Sequence, residues 1–300
     1  RSVTVAEALD RALARIASDP SMTVLVRTRL QSAVAQTYSS LALFEPSLKL
    51  QRAAVENLER EFGAETPEVW EARMTLAFCE ARAGNREGAI RRGQAVVKEA
   101  RARLPKWDER LLGPLTLLGS LLADQKRSSE VVPLREEVLS LNRRHHGDHS
   151  ESTLAAMINL SNSYSEAGRA SDALKMREDV LRLSRQHLGI DHQTTLMAMN
   201  NLAATYGAMG RRDEALALLK GAVEGYRRAY GPEHDFTLGA IRALAIMHAQ
   251  GGESEDAANL MLSIVEPARK HYGPQHPDLH LPRPADRFGP LDEFEAEIGM

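Results

Sequence analysis

The chain has 300 residues, 43% of them hydrophobic and 26% charged, with a formal net charge of −3. That balance excludes a disordered polymer and gives no broad attraction to nucleic acid or an anionic membrane. Aromatics are only 5%, and Ala and Leu dominate, which favours helices because unbranched side chains lose little rotamer freedom there. No run of about eighteen apolar residues occurs, so no membrane insertion is expected of this segment. The pairs Arg91–Arg92 and Arg143–Arg144 read as solvated helix faces. Cys79 is the single cysteine, so no internal disulfide forms; within the apolar run from Met74 to Ala83 it reads as a small buried hydrophobe. A cytoplasmic, reducing setting suits it. Because the first residue is Arg1, a piece of a longer protein is expected.

In chain order, residues 1–20 read as an N-terminal capping helix. Thr4-Val-Ala-Glu7 is a capping box, Leu9, Leu13 and Ile16 form a stripe, and Asp19-Pro20 ends the helix. Residues 21–277 read as a repeat array. Gly189, His192, Thr195 and Leu196 recur 42 residues on as Gly231, His234, Thr237 and Leu238. Gly147 with Thr153 and Leu154, and Gly273 with His276, keep that register. Gly84, Gly168, Gly210 and Gly252 hold a second one, each followed five residues later by alanine. The fifth unit shows the physics. Leu196, Met199, Leu202, Ala203 and Tyr206 make one apolar helix face, and Gly210 ends that helix. Ala215, Leu219, Ala222, Val223 and Tyr226 make a second, which Gly231-Pro232 breaks. Neither helix buries its stripe alone, so units must stack.

The units are predicted to begin near 22, 65, 107, 149, 191 and 233. The first is degenerate and carries Pro46, read as a helix breaker. The third has Pro105 and Lys126 in place of its two glycines, with Pro133 in the early turns of its second helix, where its missing N–H is expected to cost least. Pro267 predicts a kink or early end in the last helix. Residues 278–300 read as a tail: Pro282, Pro284 and Pro290 favour an extended linker, and Leu291, Phe294 and Ile298 would line one face of a short capping helix.

Gly-x-Asp/Glu-His-x-x-Thr-Leu, then Asn-Leu-Ala-x-x-Tyr, then Gly-x-x-Asp/Glu-Glu-Ala, resembles the 42-residue tetratricopeptide repeat of kinesin light chains. The fifth unit carries it through His192, Thr195, Leu196, Asn201, Leu202, Ala203, Tyr206, Gly210, Glu214 and Ala215; the sixth departs at Ala243 and His248. The implied fold is all-α, a right-handed superhelical solenoid of about six helix-turn-helix repeats. The N-terminal stretch from Val3 to Ala12, with Ser40 to Leu48, is similar to the repeat region behind the kinase domain of bacterial serine/threonine protein kinases. No Gly-rich phosphate loop, His-Arg-Asp or Asp-Phe-Gly motif occurs here.

The resemblance implies a concave surface lined by the first helix of each unit. In this register Arg82, Asn159, Asn162, Asn200, Asn201 and Arg242 are candidate peptide- or protein-binding residues, since a carboxamide offers a peptide group both donors and acceptors. The structural alternative is that Asn159 and Asn201 bond to neighbouring helices and hold the array together. All ten histidines follow position 144, and His145-His146-Gly-Asp-His149 has the look of a metal cluster; recurrence of His192, His234 and His276 at unit boundaries favours a role in the turns instead. No nucleophile stands with a base and an orienting group, so no catalytic residue, cofactor or metal is assigned. The function read from the sequence is a non-catalytic scaffold for a protein or peptide ligand. The second reading is a regulatory module that binds its own kinase domain or self-associates, with the tail as ligand; the third is a histidine-cluster metal protein.

Overall fold

The computed structural model describes residues 4–272, and every regular element among them is helical. Helix α1 (Val5–Ser18) precedes six helix pairs. These are α2 (Val24–Ser40) with α3 (Phe44–Phe62), α4 (Pro67–Arg82) with α5 (Arg86–Arg103), and α6 (Leu112–Ala123) with α7 (Ser128–His146). They continue with α8 (Glu151–Glu166) and α9 (Ala170–His187), α10 (Gln193–Ala208) and α11 (Arg212–Tyr230), and α12 (Asp235–Gln250) and α13 (Ser254–Tyr272). The first helices start within a few residues of the expected boundaries. The expected tail, 278–300, with the last register residues Gly273 and His276, lies outside the described residues.

The chain packs as two compact units. One is Arg1–Asp148 with Asn162–Arg169; the other is His149–Ser161 with Ala170–Met300. In the first, α1 lies on α2, each of α2, α4 and α6 packs on the helix that follows it, and α3 and α5 pack on the next pair. The first helices α2, α4 and α6 also touch in succession. Val55, Leu58, Val69, Ala72 and Leu76 form a buried core against which Val24, Leu25 and Leu48 pack. In the second unit α9 through α13 pack each on the next, and α10 touches α12. Ala203, Ala215 and Ala222 are fully buried there, so these helices approach to near backbone contact. Each large side chain buried this way contributes about 1.5–3 kcal/mol. The α1 capping box forms as expected, Thr4 and Glu7 each accepting from the other's backbone N–H.

One backbone feature recurs in all six pairs. Ala42, Gly84, Lys126, Gly168, Gly210 and Gly252 all have positive φ, between 56° and 96°. Just after each, an N–H closes back on the carbonyl five residues earlier: Leu43 on Tyr38, Asn85 on Glu80, Arg127 on Leu122, Arg169 on Tyr164, Arg211 on Tyr206 and Glu253 on His248. This is the Schellman closure of a helix C-terminus. The two degenerate units therefore keep the turn without the residue that makes it easy.

The prolines depart from expectation. Pro46 breaks nothing: it is the third residue of α3, where an N–H has no intrahelical partner, and the break falls at Ala42. Pro133 lies inside α7 as its sixth residue, one turn past the free N–H groups, so its missing N–H forfeits one helix bond. Pro267 does not end α13, which continues to Tyr272. At Pro105 the boundary is made by an extended Leu104, the conformation proline imposes on its predecessor, and a short 3₁₀ turn at Glu109–Leu111 capped by Asp108 leads into α6.

A polar latch joins successive pairs at a spacing of 28 residues. The hydroxyl of Tyr164 donates to Glu136 at 2.8 Å and that of Tyr206 to Glu178 at 3.1 Å, while Tyr38 donates to Asp10. One residue earlier on both partners, Arg135 donates to Ser163 and Arg177 to Thr205. The guanidinium carbons of Arg169 and Arg211 sit 4.0 and 3.7 Å from the ring centroids of Tyr164 and Tyr206, so each latch tyrosine is covered by a cation. Burial, then the Asp10 bond, pushes the Tyr38 phenol up to about 12, and burial pushes Tyr226 up to about 12.

Lys126→Gly and Ala42→Gly are expected to raise stability by about 1 kcal/mol each, and Gly210→Ala to lower it by at least as much, read from urea midpoints. Tyr38 and Tyr226 also make the fold alkali-sensitive. Below pH 10 their phenols are neutral folded and unfolded; above it the unfolded chain releases protons that the folded chain holds to about pH 12. Stability should fall across that window, and Tyr226→Phe should flatten the fall.

Candidate functional site

The boundary motif is structural. Nδ1 of His192 accepts from the Thr194 N–H, and Nδ1 of His234 from the Phe236 N–H, both at 3.2 Å, so each histidine caps its helix. Thr195 and Thr237 donate their hydroxyls to the carbonyls of Gly189 and Gly231 at 2.7 Å. The earlier histidines are likewise engaged one by one. His145 Nε2 meets the Trp107 carbonyl at 2.7 Å, His146 lies 3.4 Å from Glu109, and His149 stacks on His187 with centroids 4.2 Å apart. A different group gathers where α12 passes into α13. Ligand atoms of His248, Glu253 and Asp256 lie within 4.8 Å of one another. Glu253 is bonded to Arg212 first and to His248 second, and these hold its carboxyl down to about 2. Its charge is thus already offset by a guanidinium, and the group is an ion-pair cluster.

The six sequence-assigned residues fall on first helices, and they divide between the two units. In the first unit, Arg82 ends α4 and is exposed. One Nη donates to the Ser39 carbonyl at 3.2 Å, so it ties α4 to the C-terminal turn of α2. Arg82 also lines a cleft of about 490 Å³ with Phe78, Ala81, Arg86, Leu121, Asp124 and Gln125. Phe78 is 36% exposed there. Asn162, on α8, is half-buried.

In the second unit, Asn159 is exposed on α8, Asn200 and Asn201 are half-buried on α10, and Arg242 is exposed on α12. Asn200 Oδ1 is buried without a hydrogen-bond donor among the described residues. The carboxamide of Asn201 makes no bond to another described side chain or backbone group; only its backbone carbonyl is used, by Thr205. This removes the helix-bridging reading for Asn201 within the described residues. Arg242 forms no ion pair among the described residues, unlike Arg212 and Arg228, which hold Glu253 and Asp191. Met197 and Ile246 add exposed apolar surface on the same two helices. The arrangement offers amide donors and acceptors, one cation and apolar contact, which is what an extended polypeptide requires.

Sequence reasoning missed Phe78 and Ile246. They occupy one register position, where Ser120, Asn162 and Ala204 stand in other units, so a large apolar residue in a polar or small column was the available signal. The cleft partners Arg86 and Asp124 come from the start of α5 and the residue after α6, and the repeat pattern gives no reason to join them.

Residues 153–194 and 195–235 match the tetratricopeptide repeat family. Among solved structures, nearly identical TPR-like repeats of Podosopora anserina assigned to kinesin light chain are 23% identical with a TM-score of 0.59, over 69% of this chain and 98% of that one. BtubC (BKLC) from P. vanneervenii is 16% identical with a TM-score of 0.61, over 83% of this chain and 94% of that one. A Rap protein complexed with Competence and Sporulation Factor is 13% identical with a TM-score of 0.57, over 97% and 80%. These likenesses are of fold. No curated protein sequence was found to match. The family match covers two repeats, within residues 153–235, and no helix among the described residues is long and apolar enough to cross a membrane.

The two exposed arginines should behave differently. Arg242→Ala is expected to leave the urea midpoint unchanged within about 0.5 kcal/mol, because nothing in the described fold leans on it. Arg82→Ala should cost about 1 kcal/mol through the lost bond to Ser39.

Proposed function

We propose that this tetratricopeptide-repeat chain is a non-catalytic scaffold that binds an extended peptide or protein segment on the exposed face of its first helices. The observation that carries the reading is the state of Asn200, Asn201 and Arg242. Asn200 Oδ1 is buried without a donor, and the side chains of Asn201 and Arg242 form no bond with described residues, on a face that also exposes Met197 and Ile246. A buried polar atom such as Asn200 Oδ1 ordinarily finds a partner, and in this reading a ligand backbone supplies it. Rap protein, of similar fold, is complexed with Competence and Sporulation Factor, which makes ligand binding by this fold a reasonable expectation.

The contacts divide by chemistry. Asn200 and Asn201 present carboxamides to peptide groups, Arg242 meets a carboxylate, and Met197 and Ile246 take apolar side chains. In the first unit the Phe78–Arg82–Arg86 cleft is a second contact region, favouring a ligand with an apolar residue beside an acidic one.

The test is a selection of displayed peptides on the purified chain, followed by affinity measurements with the recovered sequence. The triple change Asn200→Ala, Asn201→Ala and Arg242→Ala should weaken binding at least tenfold while circular dichroism stays unchanged. Equal affinity for parent and folded variant would place the ligand on another surface.

A further inference from the structure

Four rings meet where α11 passes into α12. Tyr226 lies 6.1 Å from Tyr230 and 5.8 Å from Phe236, centroid to centroid; Tyr230 lies 5.5 Å from Phe236, edge to face. His234 stands 4.7 Å from Tyr230 and 5.0 Å from Phe236. Tyr226 is buried at the base, whereas Tyr230 is 37% and Phe236 40% exposed. One repeat earlier the corresponding positions are Ser184, Leu188, His192 and Thr194, so neither the cap nor the turn requires aromatics. The cap works there with His192 alone.

We propose that this aromatic patch is the docking site of the chain's own proline-rich segment, residues 281–290. Three observations fix the occupant. The segment reads Leu-Pro-Arg-Pro-Ala-Asp-Arg-Phe-Gly-Pro, and prolines 282, 284 and 290 favour an extended backbone whose rings stack on exposed aromatic faces at little entropic cost. The described chain ends at the right place. α13 runs antiparallel to α12 and packs on it, so the last turn of α13 at Tyr272 lies at the end of the hairpin where Phe236 begins α12. The reach is sufficient, because the nine residues from Tyr272 to Leu281 span up to ~30 Å when extended. Arg283 and Arg287 add cations suited to the faces of Tyr230 and Phe236.

The docked segment covers the exposed rings of Tyr230 and Phe236 with Pro282 and Pro284. The contact is intramolecular, and its strength does not depend on protein concentration.

The experiment uses the full chain with the photoreactive residue benzoylphenylalanine in place of Phe236, which preserves an aromatic ring. A second protein carries it in place of Leu262, exposed at 57% on α13, as the background. After irradiation, peptide mapping should find the product from position 236 joined to residues 281–290. It should migrate as a single chain at every dilution and exceed the Leu262 background at least fivefold. Pro282→Ser with Pro284→Ser should remove the product without changing the circular dichroism. Attachment to residues 291–298, attachment to a second chain, persistence in the proline variant, or yield no higher than background would each overturn the proposal.

Discussion

A left-handed residue at every forty-second position is the constraint on which the described architecture rests. All six turns share it, from Ala42 to Gly252, although two are made by residues that pay for that conformation. A Cβ in this region costs about 1–2 kcal/mol. Ala42 and Lys126 hold it because the following N–H groups, of Leu43 and Arg127, close on Tyr38 and Leu122 as in the glycine turns. The stacked helices dictate the turn, and glycine only lowers its cost. A helix that ended one residue later would rotate its successor by about 100° and aim its apolar stripe away from the neighbour.

Once the turn has set the direction of the second helix, the polar latch sets its register against the next pair. Tyr164 with Glu136 and Tyr206 with Glu178 bridge successive pairs through charge-assisted bonds, and their cations close over the rings. In the second and sixth pairs, where Glu80 and His248 replace the tyrosine, the bond turns inward to its own pair. Glu80 holds Arg92 of α5 with two bonds of 3.0 Å, and His248 meets Glu253. These links are strongest in the fourth and fifth repeats, where the sequence signature is also clearest. In the second, an apolar core of Val55, Leu58, Val69, Ala72 and Leu76 is joined by Gln51, which donates to the Ala72 carbonyl, and by Arg73, which bonds Glu59 of α3 and Glu99 of α5. Stability in such an array sums over these nearest-neighbour interfaces.

Helices and boundaries were legible because one residue type at one spacing reports them: glycine at the turns, alanine where helices touch. Pro46 and Pro133 misled because a proline's meaning depends on its distance from the helix start, which the sequence locates only within a few residues. The latch was hidden by its 28-residue spacing, which corresponds to no local period. It arises because the second helix of one pair faces the first helix of the next. Arg82 is exposed, and its bond to Ser39 joins residues 43 apart, where no side-chain pattern announces a backbone acceptor. The aromatic patch was missed because Tyr226, Tyr230, His234 and Phe236 straddle a break and converge only after Gly231 turns the chain.

The face proposed for a ligand and the patch proposed for the tail share α12 without competing for it. Phe236 precedes Arg242 by six residues, ~9 Å along the axis. Six residues also rotate the side chain by 600°, about 120° short of two full turns, so the two point to different sides of the helix. A segment resting on Phe236 leaves Arg242 open, and a ligand held by Arg242 leaves Phe236 covered by the tail. Loss of ligand binding in the Arg242 variant and loss of cross-linking from position 236 therefore report separate contacts. A result that removed both at once would instead indicate that α12 itself had shifted, because that helix is the only element the two contacts share.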